Sequence, residues 1–122
     1  MTAQTLVQAT EAPRRNPWWR MVCYRVDLIP HSGIVTWWNG VQVALFYFPE
    51  TQRVYAVENR DPRSGANVIG RGIVGEINGD LVVAAPLYKQ HFRLEDGSCV
   101  EDPSQRLRTW SARLHGWRVE IG

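Results

Sequence analysis

Lysine is nearly absent from this 122-residue chain: Lys89 is the only one, and arginine supplies the remaining positive charge. The net charge of +2 is too small, and the basic residues too scattered, for the electrostatic footprint of a nucleic-acid binder. Cysteine is equally scarce. Cys23 and Cys99 share no CxxC or CxH spacing, which excludes the short-spaced ligand sets of structural zinc and favours two free thiols over a disulfide. No apolar run approaches the roughly 20 residues of a membrane span. Arg14-Arg15 is followed by Asn16-Pro17-Trp18-Trp19-Arg20, so no apolar segment follows to complete a twin-arginine export signal. The cytoplasm is therefore the expected location. No segment carries a sustained 3.6-residue apolar period, which removes long helices from consideration.

What is present reads as β-structure. The chain is 44% hydrophobic and 21% charged, the balance of an ordinary globular protein, and it is long enough to bury a core without staples. Residues 1–16 are small, polar and non-periodic and read as a disordered N-terminal arm, leaving residues 17–122 as one domain. Strands are expected at Met21–Val26, Gly33–Trp38, Val41–Phe48, Arg53–Val57, Gly72–Ile77, Leu81–Ala85, Phe92–Glu95, Ser98–Val100, Ser111–Leu114 and Trp117–Ile121. Asn39-Gly40, Asn78-Gly79, Asp96-Gly97 and His115-Gly116 mark the turns, because these residues tolerate positive φ. A short helical turn is expected within Asn67–Arg71. In the last strand Trp117, Val119 and Ile121 alternate with Arg118 and Glu120, predicting one buried and one wet face. The Trp18-Trp19 and Trp37-Trp38 doublets place one ring on each face of their strands. Many short strands with closely spaced turns indicate an all-β antiparallel sandwich or small barrel.

The residues that carry chemistry are few. His31 and His115 read as exposed turn residues, and His91 as a structural hydrogen-bonding residue with some functional claim. Glu95-Asp96 and Glu101-Asp102 read as solvated turn carboxylates. There is no nucleophile elbow, no Cys–His pair and no phosphate loop, so no catalytic residue and no metal site are expected. Two loops remain: Asp61-Pro62-Arg63-Ser64-Gly65-Ala66 and Ala85-Pro86-Leu87-Tyr88-Lys89-Gln90-His91-Phe92.

Their spacing resembles the cluster loops of a Rieske [2Fe–2S] domain, Cys-Pro-His-x-Gly-x and Cys-Pro-x-His-Gly-x-x-Phe. Pro62, Gly65, Pro86 and Phe92 stand where that pattern places them. Asp61 and Ala85 occupy the cysteine positions, and Arg63 and Tyr88 the histidine positions. Such a centre takes two thiolates on one iron and two imidazoles on the other. A guanidinium and a methyl group supply neither, so these are vacant ligand positions.

Asn59-Arg60-Asp61-Pro62, Ser64-Gly65-Ala66, Arg71–Gly75 and Leu81–Ala84 with Pro86-Leu87-Tyr88-Lys89-Gln90-His91-Phe92 resemble one family more closely. It is the small subunit of assimilatory NAD(P)H-dependent nitrite reductase. The resemblance implies a Rieske-like β-sandwich with two long loops at one end and no cofactor of its own. It also implies a large-subunit partner carrying FAD, an iron–sulfur cluster and sirohaem, which reduces nitrite to ammonium. If the loops form a docking tip, Arg60, Arg63, Tyr88, Lys89 and His91 are the candidates to meet that partner, and Arg63 could instead pair internally with Asp61. The competing expectations are a stand-alone Rieske-type ferredoxin, which would need a cluster, and a small-barrel binding module using exposed tryptophans.

Overall fold

A computed structural model describes residues 18–122; the arm expected at residues 1–16 and Arg14-Arg15 lie outside the described residues. Among the described residues, ten strands form three antiparallel sheets. The first joins β1 (Arg20–Tyr24), β10 (Arg118–Ile121) and β9 (Ala112–His115). The second runs β2 (Gly33–Trp38), β3 (Val41–Phe48), β4 (Arg53–Glu58) and β8 (Thr109–Trp110). The third runs β5 (Ile73–Ile77), β6 (Asp80–Ala84) and β7 (His91–Arg93).

The second sheet is the middle layer. Its central strand β3 sends Ala44, Phe46 and Phe48 into one core, with Ile69, Val83, Ala85, Phe92, Leu94 and Leu107. Val43 and Leu45 point the other way, into a core with Val119 and Ile121 of the first sheet. Burial on both faces explains why β3 reads as a continuous apolar run rather than an alternating one. The β2–β3 hairpin turns at Asn39 (φ 49°) and Gly40 (φ 78°), and β5–β6 at Asn78 (φ 51°) and Gly79 (φ 88°). Both are the double positive-φ turns that match strand twist. The helical turn expected within 67–71 is a 3₁₀ turn at Ile69–Arg71.

Three expectations are corrected. Ser98–Val100 forms no regular strand: Cys99 bridges Phe92 and Ser98 bridges Arg106 as isolated pairs. The expected wet face of β10 is also covered, and Glu120 is buried at 6% exposure. Arg113 (2.7 Å), His115 (3.4 Å) and Arg118 (3.8 Å) converge on its carboxylate. Arg113 in turn lies 4.4 Å above the Trp19 ring. Long arginine stems shield the carboxylate from water, which a period-two pattern does not reveal. Trp117, expected on the buried face, is 63% exposed and stacks on Tyr24 at 5.5 Å. Each tryptophan doublet divides as expected: Trp18 and Trp37 are exposed, while Trp19 and Trp38 are half-buried.

Candidate functional site

The two singled-out loops share one backbone design. In the first, the Asp61 amide donates to the Ala66 carbonyl (2.8 Å) and the Gly65 amide donates to the Asp61 carbonyl (2.7 Å). In the second, the Ala85 amide donates to the Gln90 carbonyl (2.8 Å) and the Lys89 amide to the Ala85 carbonyl (2.9 Å). The fifth residue of each loop is left-handed, with Gly65 at φ 78° and Lys89 at φ 57°. Arg93–Ser98 repeats the pattern: Arg93 N–H to Ser98 O, Gly97 N–H to Arg93 O (both 2.8 Å), and Gly97 at φ 81°. These loops close by backbone hydrogen bonds, with no ligand needed to hold their ends.

Side chains then fix each loop to the body. Asn59, 2% exposed, accepts the Gly70 amide (2.7 Å) on Oδ1 and donates from Nδ2 to Gln42 (2.9 Å). Asp61 is fully buried. Its Oδ1 accepts the Arg63 amide at 2.9 Å, while Oδ2 is buried without a partner. Ala85 is absorbed into the apolar core. The two histidine positions meet each other, since the Arg63 guanidinium lies 4.5 Å from the centroid of the Tyr88 ring. This contact bridges the loop ends where a metal centre would bridge them. Arg63 pairs with this ring rather than with the Asp61 carboxylate.

A [2Fe–2S] cluster does not fit this donor set. One cysteine position holds a carboxylate whose Oδ1 already accepts a backbone amide, and the other holds a methyl group in the core. The histidine positions hold a stacked cation and phenol. Among the described residues no group of three or more His, Cys, Asp or Glu side chains is placed to hold a metal ion.

Around the tip, Arg60, Arg63, Tyr88 and Lys89 are exposed, as are Pro86 and Leu87. The Arg60 guanidinium lies over Gly65, where a Cβ would come within 3.3 Å of Nη2. His91 is held by Glu101: its amide donates to Oε1 (2.8 Å) and its ring Nδ1 meets Oε2 (2.5 Å). Glu101 thus differs from the solvated turn carboxylate expected from sequence. It lies ten residues from His91 across the 93–98 loop, so no local pattern could have revealed the pairing. Asp96 and Asp102 cap their own turns through Ser98 and Ser104. His31, in a loop as expected, pairs with Glu50, and His115 ends β9. Cys23 and Cys99 are free thiols. Burial, then Asp27, pushes Cys23 up to about 11.

The carboxylates give the domain an acid limit. Burial pushes Glu101 up, but hydrogen bonds from the His91 amide and ring outweigh it and hold the carboxyl below its ordinary 4.5. Hydrogen bonds to Ser98 lower Asp96, and those to Ser104 lower Asp102. A carboxyl lowered by folding adds stability that is complete above its unfolded value and is lost as pH falls through the folded one. The melting temperature is therefore expected to fall as the pH drops below about 4.5, more shallowly in Glu101→Gln. Thermal melts across that range check this; a melting temperature that climbs on acidification contradicts it.

Comparisons with known proteins agree with this geometry. Residues 18–122 match the model of the Rieske-like [2Fe-2S] domain. The nitrite reductase (NADH) small subunit of Salmonella typhimurium is 38% identical over 103 residues, covering 84% of this chain and 95% of that one. A crystal structure assigned to a nitrite reductase NADPH small subunit is 44% identical, with a TM-score of 0.82, covering 85% of this chain and 97% of its own. The nitrite reductase [NAD(P)H] large subunit of Klebsiella oxytoca contains a stretch 38% identical over 105 residues, 85% of this chain and 11% of that one. No helix among the described residues is long and apolar enough to cross a membrane.

Proposed function

The chain belongs to the family of nitrite reductase small subunits built on the Rieske-like domain, and from that premise we propose that it docks, through its loop tip, on a large subunit that reduces nitrite to ammonium with NAD(P)H. FAD, the iron–sulfur cluster and sirohaem are assigned to that large subunit. This chain brings no redox centre and no catalytic residue, and it works in the cytoplasm. A free ferredoxin role is disfavoured by the donor set, and a nucleic-acid or sugar module by the scatter of the basic residues along the sequence.

The observation that carries the reading is Lys89. The motif has glycine at this position, and the backbone here keeps the left-handed conformation glycine favours, at φ 57°. A side chain held there costs about 1 kcal/mol. The cost places the chain's only lysine in an exposed position next to Tyr88, the ring on which Arg63 lies. Strain retained at an exposed cation is expected where the cation meets a partner. Occurrence of the same domain inside the Klebsiella large subunit supports that partner.

The test separates function from folding. Lys89→Gly is expected to stabilise the domain by about 1 kcal/mol, because the loop is relieved of strain. The same variant should bind the large subunit about fivefold more weakly at low salt, through a slower association rate. Arg63→Ala loses both its charge and its Tyr88 contact, so it should weaken binding at least as much. Unchanged affinity in both variants sinks the tip-docking reading.

A further inference from the structure

We propose that the groove between β1 and β2, carrying Trp37, is a second contact surface for the large subunit, separate from the loop tip; this rests on the reading that the large subunit is the partner. The groove has a volume of about 500 Å³ and is lined by Arg20, Met21, Val35, Trp37 and Trp38. Along β2 the side chains alternate as the pleat requires. Ile34 and Trp38 pack on the core, while Val35 and Trp37 face outward at 47% and 65% exposure. Met21 adds 44% exposure from β1, and Trp18, 73% exposed, enters that strand. The one polar side chain among the inward positions of β2, Thr36, is already hydrogen-bonded to the Val22 carbonyl. An outward tryptophan with flanking methionine and valine is the composition of an interface centre, not of a solvated sheet face.

The occupant follows from chain connectivity. Arg20 opens β1 and Ile121 closes β10, and the two are direct cross-strand partners. The described domain therefore begins and ends at one place on its surface. In the Klebsiella large subunit the matching stretch fills 11% of the chain, so the remaining nine-tenths must leave the domain at the counterpart of Arg20, of Ile121, or of both. Because those two residues are neighbours, the point of attachment is the same in every case. Arg20 and Met21 themselves line the groove. The connection to the rest of that chain is thus made beside the groove, and this is what commits the groove to the large subunit; in a two-chain reductase the same face is expected to meet it without the covalent link.

The second exposed aromatic pair, Tyr24 and Trp117, sits at the other end of the β1–β10 ladder and provides a control of the same residue type. The experiment measures the affinity of purified large subunit for the full-length chain and for Trp37→Ser, Met21→Ser, Trp117→Ser and Arg63→Ala. Hydrogen exchange of residues 33–38 with and without the partner is read alongside. Trp37→Ser is expected to weaken binding about thirtyfold, as loss of a central tryptophan does, with its thermal melt unchanged. Trp117→Ser should fall within about threefold of wild type, and β2 should gain protection only when the large subunit is present.

Wild-type affinity in Trp37→Ser alongside weakened Arg63→Ala overturns the groove and leaves the tip reading standing. Equal losses in Trp37→Ser and Trp117→Ser also overturn it. So does a self-association of the chain alone that Trp37→Ser abolishes, since the occupant is then a second copy. Groove protection lost on deleting residues 1–17, with no partner added, would assign the face to that segment instead. A wild-type chain that fails to bind removes the partner itself, and this proposal with it.

Discussion

Replacing Gly97 by alanine is expected to cost the domain at least about 3 kcal/mol, more than half of the total for a domain at the low end of the usual stability range of about 5–15 kcal/mol. A Cβ at that position would lie 2.0 Å from the Leu107 carbonyl oxygen and 3.1 Å from Thr109 Cγ2. Neither the oxygen nor the glycine is free to retreat. Leu107 is 1% exposed in the core, its amide donates to the Gly97 carbonyl (2.9 Å), and Gly97 closes the 93–98 loop through Arg93. Its φ of 81° adds the ordinary left-handed penalty for any L side chain. Gly40 and Gly79 isolate the two contributions. Both have positive φ, yet nothing lies within 4 Å of a Cβ placed there. Alanine at either should cost only about 1 kcal/mol. Urea melts of the three variants check the ordering, and a Gly97→Ala loss no larger than that of Gly79→Ala contradicts it.

Phe92→Ala should cost about 3–5 kcal/mol, in the range for a truncated core aromatic. Phe92 is fully buried, pairs with Val83 across β6–β7 and packs in the core that also takes Ala85. The position joins core to tip, because Gln90, two residues earlier, accepts the Ala85 amide that closes the second loop. A cavity under Phe92 therefore loosens the loop bearing Tyr88 and Lys89. Binding to the large subunit is expected to fall with stability, which distinguishes this variant from Lys89→Gly, where the two move in opposite directions. A destabilised Phe92→Ala that binds as wild type would show that loop order is irrelevant to docking.

Much of this was legible in the sequence. Gly33–Trp38 and Val41–Phe48 are the observed strands residue for residue, because Asn39-Gly40 fixes their register from the turn outward. The vacant ligand positions could be named because a missing thiolate is a chemical fact of the residue. What stayed hidden depended on distant partners. Glu120 is buried because Arg113 and His115 of β9 and Arg118 of β10 converge on it, and Glu101 matters because folding brings it to His91. The stacking of Arg63 on Tyr88 joins two loops 25 residues apart. The left-handed Lys89 was not anticipated, although the motif has glycine there. That the backbone would keep the glycine conformation under a lysine is a property of the loop's hydrogen bonds, which the sequence does not display.

The proposed role is that of a docking partner: a Rieske-like scaffold, closed by backbone bonds and an Arg63–Tyr88 contact in place of a cluster, that serves a large subunit. The measurement that tests it most directly is nitrite-dependent NAD(P)H oxidation by the purified large subunit, titrated with this chain. The rate is expected to rise with added chain and to saturate at a fixed ratio, with Lys89→Gly shifting the titration to higher concentration. A rate indifferent to the chain at every concentration would contradict it.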